Sequence, residues 1–199
     1  AICTMDCGEY NNIHPVDKRT PGERLGNCAL RQVYGMSRIP VYGPTVLGFR
    51  CDEGGRVRLF FRYAHGLHFS GTTPDSFGDE FAKSLPSLVR LPERSGFELA
   101  GADGVFHPAY AAIFVDCDID DLVNAKVNVV DYNATEFGIP INSRSIGTIT
   151  LATPEVPAPV MMRYAWRSWG PAPLFNDNNL PAHPFKLDLT DHTDSDHAE

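Results

Sequence analysis

"TVLGFRCDEGGRVRLFFRYA" (residues 45–64) decides the fold. Two runs rich in β-branched and aromatic residues flank Asp52-Glu53-Gly54-Gly55, a hairpin turn candidate. Strand, tight turn and strand make an antiparallel unit. Five runs of the same character follow: FELAG (97–101), YAAIFVD (110–116), KVNVV (126–130), GTITLA (147–152) and VMMRYAW (160–166). Gly, Pro, Asp and Asn separate them, which predicts a mainly β domain over 40–189, most simply an antiparallel β-sandwich. Two stretches, 70–93 and 116–146, read as insertions between strands, the first with a short helix in DEFAKSL (79–85). The end, 190–199, is acidic and poor in apolar residues, so it reads as a solvated, mobile tail rather than a metal site.

Residues 1–39 have another character. AICTM (1–5) reads as a buried strand and DCGEYNNIHP (6–15) as a polar loop rich in turn formers. A helix follows. Thr20-Pro21-Gly22-Glu23 fits a capping box with proline at the first helical position, and Asp17 is a rival N-cap one turn earlier. Leu25, Cys28, Ala29 and Val33 fall on one face, and Gly35 stops the helix. Strand, loop and helix form a single α/β unit, which is too little for a domain. Residues 1–39 are therefore expected to be the end of a larger α/β domain.

Composition sets outer bounds. Of 199 residues, 43% are apolar and 21% charged, ordinary for a soluble globular protein. A formal net charge of −8 argues against a nucleic-acid partner, because phosphate binding needs clustered Lys and Arg. No apolar run approaches the roughly 20 residues needed to span a bilayer, so no membrane role is expected. The five cysteines, Cys3, Cys7, Cys28, Cys51 and Cys117, form no C-x-x-C pair, which argues against zinc. They read as small buried hydrophobes, with a Cys51–Cys117 disulfide or a bond to another segment left open. Asn133-Ala134-Thr135 is a glycosylation sequon that has meaning only in a secreted eukaryotic protein. The opening residues lack an initiator Met and read like a strand under way, so the natural chain is expected to extend upstream.

His14 is the first candidate for chemistry. Pro15 pushes its backbone toward an extended conformation, and the helix N-terminus beyond favours the neutral, basic imidazole. The competing reading is a hydrogen-bonded structural histidine. Near the C-terminus, Tyr164, Trp166 and Trp169 are followed by Asn176, Asp177, Asn178 and Asn179. Ring faces and hydrogen-bonding groups together suit a sugar. Tyr164 and Trp166 share parity on a strand, however, so both also fit a packed sandwich core or a docking face.

MDCGEYNNIHPVDKRTPGERLGNCALRQVYG (5–35) resembles a segment of sialate O-acetylesterases and related carbohydrate esterases. The similarity recurs in order at YGP (42–44), GFELAGADGVFHPA (96–109), TPEVPAPVMMRYAW (153–166) and LFNDNNLPAHPF (174–185). The resemblance implies a serine esterase of the SGNH class, with His14 in the place of the general base and no metal or cofactor. It implies a carboxylic ester hydrolase that removes O-acetyl groups from sialic acid or a related sugar. It also implies a secreted, lysosome-like or periplasmic location.

Two departures stand out. The aspartates that the family places three and two residues before the histidine are Asn11 and Asn12 here. An orienting amide, Asn11 being the candidate, or a backbone carbonyl is favoured as the group that fixes the imidazole. A carboxylate from Asp6 or Glu9 is the alternative. The Gly-[Asp/Gln]-Ser nucleophile block is missing, and Ser70 in HFSGTT (68–73) lacks the preceding glycine turn and reads as loop. The chain is thus expected to hold the base but not the nucleophile, and to be inactive alone. Its expected partners are an O-acetylated sugar and an N-terminal hydrolase segment, or separate chain, that carries the serine. The rival expectation is a non-catalytic carbohydrate-binding or interaction β-sandwich module.

Overall fold

The hairpin forms where the glycine pair sits. Strands β1 (Thr45–Asp52) and β2 (Arg56–Arg62) pair antiparallel, and Gly54 and Gly55 turn the chain at φ 74° and 73°. That left-handed backbone carries little strain only without a Cβ. The computed structural model describes residues 2–70, 88–89, 91–114, 128–129 and 146–190.

Ten further strands follow: β3 (His68–Phe69), β4 (Leu88–Val89), β5 (Phe97–Ala100), β6 (Phe106–Pro108), β7 (Tyr110–Phe114), β8 (Asn128–Val129), β9 (Gly147–Ala152), β10 (Met161–Tyr164), β11 (Leu174–Phe175) and β12 (Phe185–Asp188). They build a six-stranded sheet in the order β4-β7-β9-β2-β1-β8 and a four-stranded sheet in the order β12-β10-β5-β6. β11 and β3 pair separately, and every ladder is antiparallel. The fold is mainly antiparallel β with one helix among the described residues.

The two larger sheets share one core. Val57, Leu59, Phe61, Ile149 and Leu151 come from the six-stranded sheet; Phe97, Leu99, Met162, Tyr164 and Leu187 come from the four-stranded one. The rings of Phe61 and Phe185 meet edge-on across the layers at 6.0 Å between centroids. Each buried side chain of this size contributes roughly 1.5–3 kcal/mol. This is the layering of a sandwich.

β4 and β8 lie in the stretches read as insertions, yet they pair at the two edges of the six-stranded sheet. The helix expected at 79–85, Cys117, the sequon and the tail from 191 lie outside the described residues.

Two expectations at the N-terminus change. AICTM forms no strand among the described residues. An extended run becomes a strand only through a ladder, and none pairs it among the described residues. Cys3 is nevertheless buried, with its thiol near the Ala182 carbonyl at 3.5 Å. The helix α1 (Arg19–Gln32) begins two residues before the start expected from the capping box. The Asp17 carboxylate accepts the Thr20 N–H at 3.0 Å, while Glu23 turns to Arg19 at 2.6 Å. Aspartate caps at least as well as threonine, and Pro21 still falls where a missing N–H costs nothing. Gly35, at φ 71°, ends the helical segment as expected. The apolar face is present but uncovered: no residue of α1 is buried, and Leu25 and Val33 are 58% and 76% exposed.

Candidate functional site

The polar loop before α1 is held from three directions. The Arg24 guanidinium meets the Asp6 carboxylate through two bonds, Nη1 to Oδ1 at 2.6 Å and Nη2 to Oδ2 at 2.7 Å. Arg24 also donates to the carbonyls of Cys3 at 2.8 Å and Asn179 at 3.3 Å, so it ties loop, helix and sandwich together. Further along, Glu9 accepts the Val16 N–H at 2.6 Å and the Asn12 side-chain amide at 2.9 Å. Asn12 Oδ1 accepts the His14 N–H at 3.0 Å. Finally, Tyr10 lies against Trp169 of the sandwich, 5.4 Å between ring centroids.

These bonds fix the backbone on both sides of His14 and leave the side chain exposed. Among the described residues no hydrogen bond reaches the imidazole. The exposed Asn11 makes none with it, and the two carboxylates considered at the sequence level are engaged elsewhere. Asn12, read from sequence only as a lost acid, positions the His14 backbone. The Val16 N–H and then the Asn12 amide hold the Glu9 carboxyl below its ordinary range, so it is ionised and occupied at neutral pH. Cys7, close behind, has its thiol pushed up to about 11, chiefly by burial and then by the Asp6 charge. It is no nucleophile at neutral pH.

The aromatic and amide residues near the C-terminus separate into distinct roles. Tyr164 is fully buried among Phe97 and Phe185, and its hydroxyl accepts the Leu174 N–H at 2.9 Å. It belongs to the core. Buried Asn176 uses its whole amide: Nδ2 donates to the Tyr42 and Tyr63 carbonyls, both at 3.0 Å, and Oδ1 accepts the Asn178 and Leu180 N–H groups, both at 3.1 Å. It has nothing left for a sugar. Asp177 holds the His65 ring at 2.6 Å, a hydrogen bond that spans 112 residues and left no mark in the sequence. Trp169 holds the loop through Tyr10. Trp166 differs from all of these. β10 ends at Tyr164, Ala165 turns left-handed at φ 48°, and Trp166 leaves the sheet 51% exposed. The shared strand parity of Tyr164 and Trp166 therefore does not survive the turn.

No protein-family profile matches the chain, and no curated protein matches it. Among solved structures, it is similar to a novel carbohydrate acetylesterase from Xanthomonas citri, with a TM-score of 0.57 and 24% identity over 92% of this chain. The chain spans 31% of the length of that structure. The likeness is one of fold, and it covers more residues than the sandwich alone could supply.

No helix among the described residues is long and apolar enough to cross a membrane. Nor do three or more metal-ligand side chains cluster among them.

Proposed function

We propose that this chain carries the general base, His14, of a serine-type carbohydrate O-acetylesterase of the SGNH class, with the nucleophile supplied by residues outside it. The carrying observation is the His14 loop, whose polar network fixes the backbone while the imidazole faces outward without a bond. A structural histidine is normally held by its ring. The ordered sequence blocks, from the HisPro loop to LFNDNNLPAHPF, support this reading, as does a fold shared with a protein described as a carbohydrate acetylesterase.

Uncovered apolar side chains give further support. Ile13, Val16, Leu25 and Val33 are 89%, 83%, 58% and 76% exposed around the same loop and helix. An α/β hydrolase domain seated on them would remove this apolar surface from water and bring its serine to His14.

In that assembly His14 takes the serine hydroxyl proton as the oxygen attacks the acetyl carbonyl. It returns the proton to the departing sugar oxygen, and the acetyl group stays on serine. Water, deprotonated by the same imidazole, then releases acetate. Asn12 and Glu9 act as positioning residues, and an orienting partner for the ring arrives with the hydrolase domain or from Asn11. The substrate is an O-acetylated sialic acid or a related sugar, met in a secreted, lysosome-like or periplasmic compartment.

Asn11 and Asn12, standing where the family carries aspartates, favour a second reading, a carbohydrate-binding or interaction module without chemistry. One experiment separates the two. The chain is produced with its upstream hydrolase residues, and acetate release is measured from p-nitrophenyl acetate and from O-acetylated sialic acid. His14→Ala should lower kcat by about 10⁴ or more while the thermal midpoint stays put. Unchanged activity in that variant would overturn the esterase reading of His14.

A further inference from the structure

The role proposed for His14 dictates where each half of the ester lies. To return its proton, the imidazole needs the departing sugar oxygen within about 2.6–3.2 Å. The acetyl half points toward the serine, which residues outside this chain supply. The sugar half therefore rests on the loop that carries His14, and the exposed side chains of that loop are the ones it meets.

The tip of the loop is a tight turn. Glu9 and Asn12 form an antiparallel bridge, the Asn12 N–H donating to the Glu9 carbonyl at 3.4 Å, so Tyr10 and Asn11 take the two central positions. The Glu9 carboxylate clamps the turn further, through the Val16 N–H at 2.6 Å and the Asn12 amide at 2.9 Å. Trp169 then steadies the Tyr10 ring, tilted 60° against it. Gly8 allows the indole in, since a Cβ there would already lie 3.4 Å from it. A ring held on so fixed a backbone gives up little freedom when a ligand arrives.

Tyr10 is nevertheless 70% exposed, and among the described residues its hydroxyl makes no hydrogen bond. Four residues span at most about 14 Å even when extended, so a sugar seated on Tyr10 lies within a short oligosaccharide's reach of His14. Side-chain type separates this tip from the apolar surface around it. Ile13, Val16, Leu25 and Val33 are aliphatic and suit a protein face. A tyrosine offers a flat apolar face with a polar rim. The C–H face of a pyranose stacks on such a ring, while its hydroxyls donate to and accept from the phenol.

We propose that Tyr10 is a specificity-determining residue that binds the alcohol half of the ester, the pyranose ring that bears the acetyl group. This assignment rests on the esterase reading of His14 and adds to it the side of the site on which the sugar lies.

The test uses the chain produced with its upstream hydrolase residues. Sugar esters, an O-acetylated sialic acid and acetylated xylan, are compared with ethyl acetate, whose alcohol has no ring to stack. Tyr10→Ala should lower kcat/KM for the better sugar ester about tenfold relative to ethyl acetate, mainly through KM. Tyr10→Phe keeps the ring face and should hold that ratio within about twofold of the parent. Equal losses on both kinds of ester would mean that Tyr10 only seats the loop or lies under the hydrolase domain, and would overturn the proposal.

A binding measurement keeps this result apart from the esterase reading itself. N-acetylneuraminic acid and xylotetraose carry no acetyl ester, and their Kd is read by chemical-shift titration in the His14→Ala background. Adding Tyr10→Ala should weaken the tighter ligand about tenfold. Binding that is absent for both sugars, or equal with and without the tyrosine ring, would overturn the proposal whatever His14 does. Ester hydrolysis that survives His14→Ala would instead overturn the base assignment alone.

Discussion

Asp6 and Arg24, eighteen residues apart, meet through two parallel bonds of 2.6 and 2.7 Å, with only 16% and 10% of their side chains exposed. The pair joins the start of the chain to the middle of α1, and the spare donors of Arg24 continue to Cys3 and Asn179. Lysine keeps the charge but loses the fork. Arg24→Lys should cost about 1–2 kcal/mol and Arg24→Ala about 3 kcal/mol in urea unfolding, because alanine leaves the Asp6 carboxylate half-buried and alone. Amide exchange over residues 9–16 should accelerate in both.

Asn176 joins four backbone groups from three parts of the chain. Asn176→Ala should therefore destabilise by about 3 kcal/mol, since buried carbonyls and N–H groups lose their partner. Asn176→Asp is the sharper test. A carboxylate still accepts from Asn178 and Leu180, but it cannot donate to Tyr42 and Tyr63, and it buries a charge. It should cost as much as alanine, measured by thermal and urea unfolding at neutral pH.

How far these features could be read from sequence follows from their range. The β1–β2 hairpin was legible because a glycine pair and its flanking runs are neighbours. Helix α1 was legible in place but not in its start, since Asp17 and Thr20 are both sound caps and only the fold chooses between them. β12 carries a period-two pattern, Phe185 and Leu187 against Lys186 and Asp188, and could have been found with closer reading. β3 and β11 are two residues each and have no period to see. His14 and its loop stood out in the sequence as a candidate for chemistry. The groups that hold them did not, because Asp6 to Arg24 and Tyr10 to Trp169 are tertiary contacts between residues of ordinary type. The reading of Asn176 as one of several groups that suit a sugar gives way for the same reason. Residue type suggested ligand binding, and only the approach of Tyr42 and Tyr63 gave its amide another use.

Two glycines separate crowding from backbone angle. A Cβ at Gly43 would lie 2.0 Å from the Pro181 carbonyl oxygen, a backbone atom that cannot swing aside. Gly54 has open space around it but sits at φ 74°. Gly54→Ala should cost about 1 kcal/mol, the price of a left-handed alanine, whereas Gly43→Ala should cost about 3 kcal/mol or more. Equal costs would mean that the segment at Pro181 relaxes freely. The tie of Asn176 to Tyr42 and Leu180 argues against that.

Glu98 makes stability depend on acid. Burial alone would raise its carboxyl, but the hydrogen bonds and charges of Arg163 and Arg167 outweigh burial and hold it below the usual carboxylate range. A carboxyl depressed in the folded state binds its proton more readily in the unfolded chain. Its contribution is complete above the ordinary pKa of about 4.3 and is lost as pH falls through the lower folded value. Glu98→Gln should therefore be less stable than the parent by about 2 kcal/mol from pH 6 to 8, with the exposed Arg167 adding little to that figure. The gap should narrow steadily below about pH 5. Urea midpoints measured across this range read the difference directly. A gap that stays constant down to pH 3 would mean that Glu98 does not titrate with folding, and that the two guanidiniums are held by other groups.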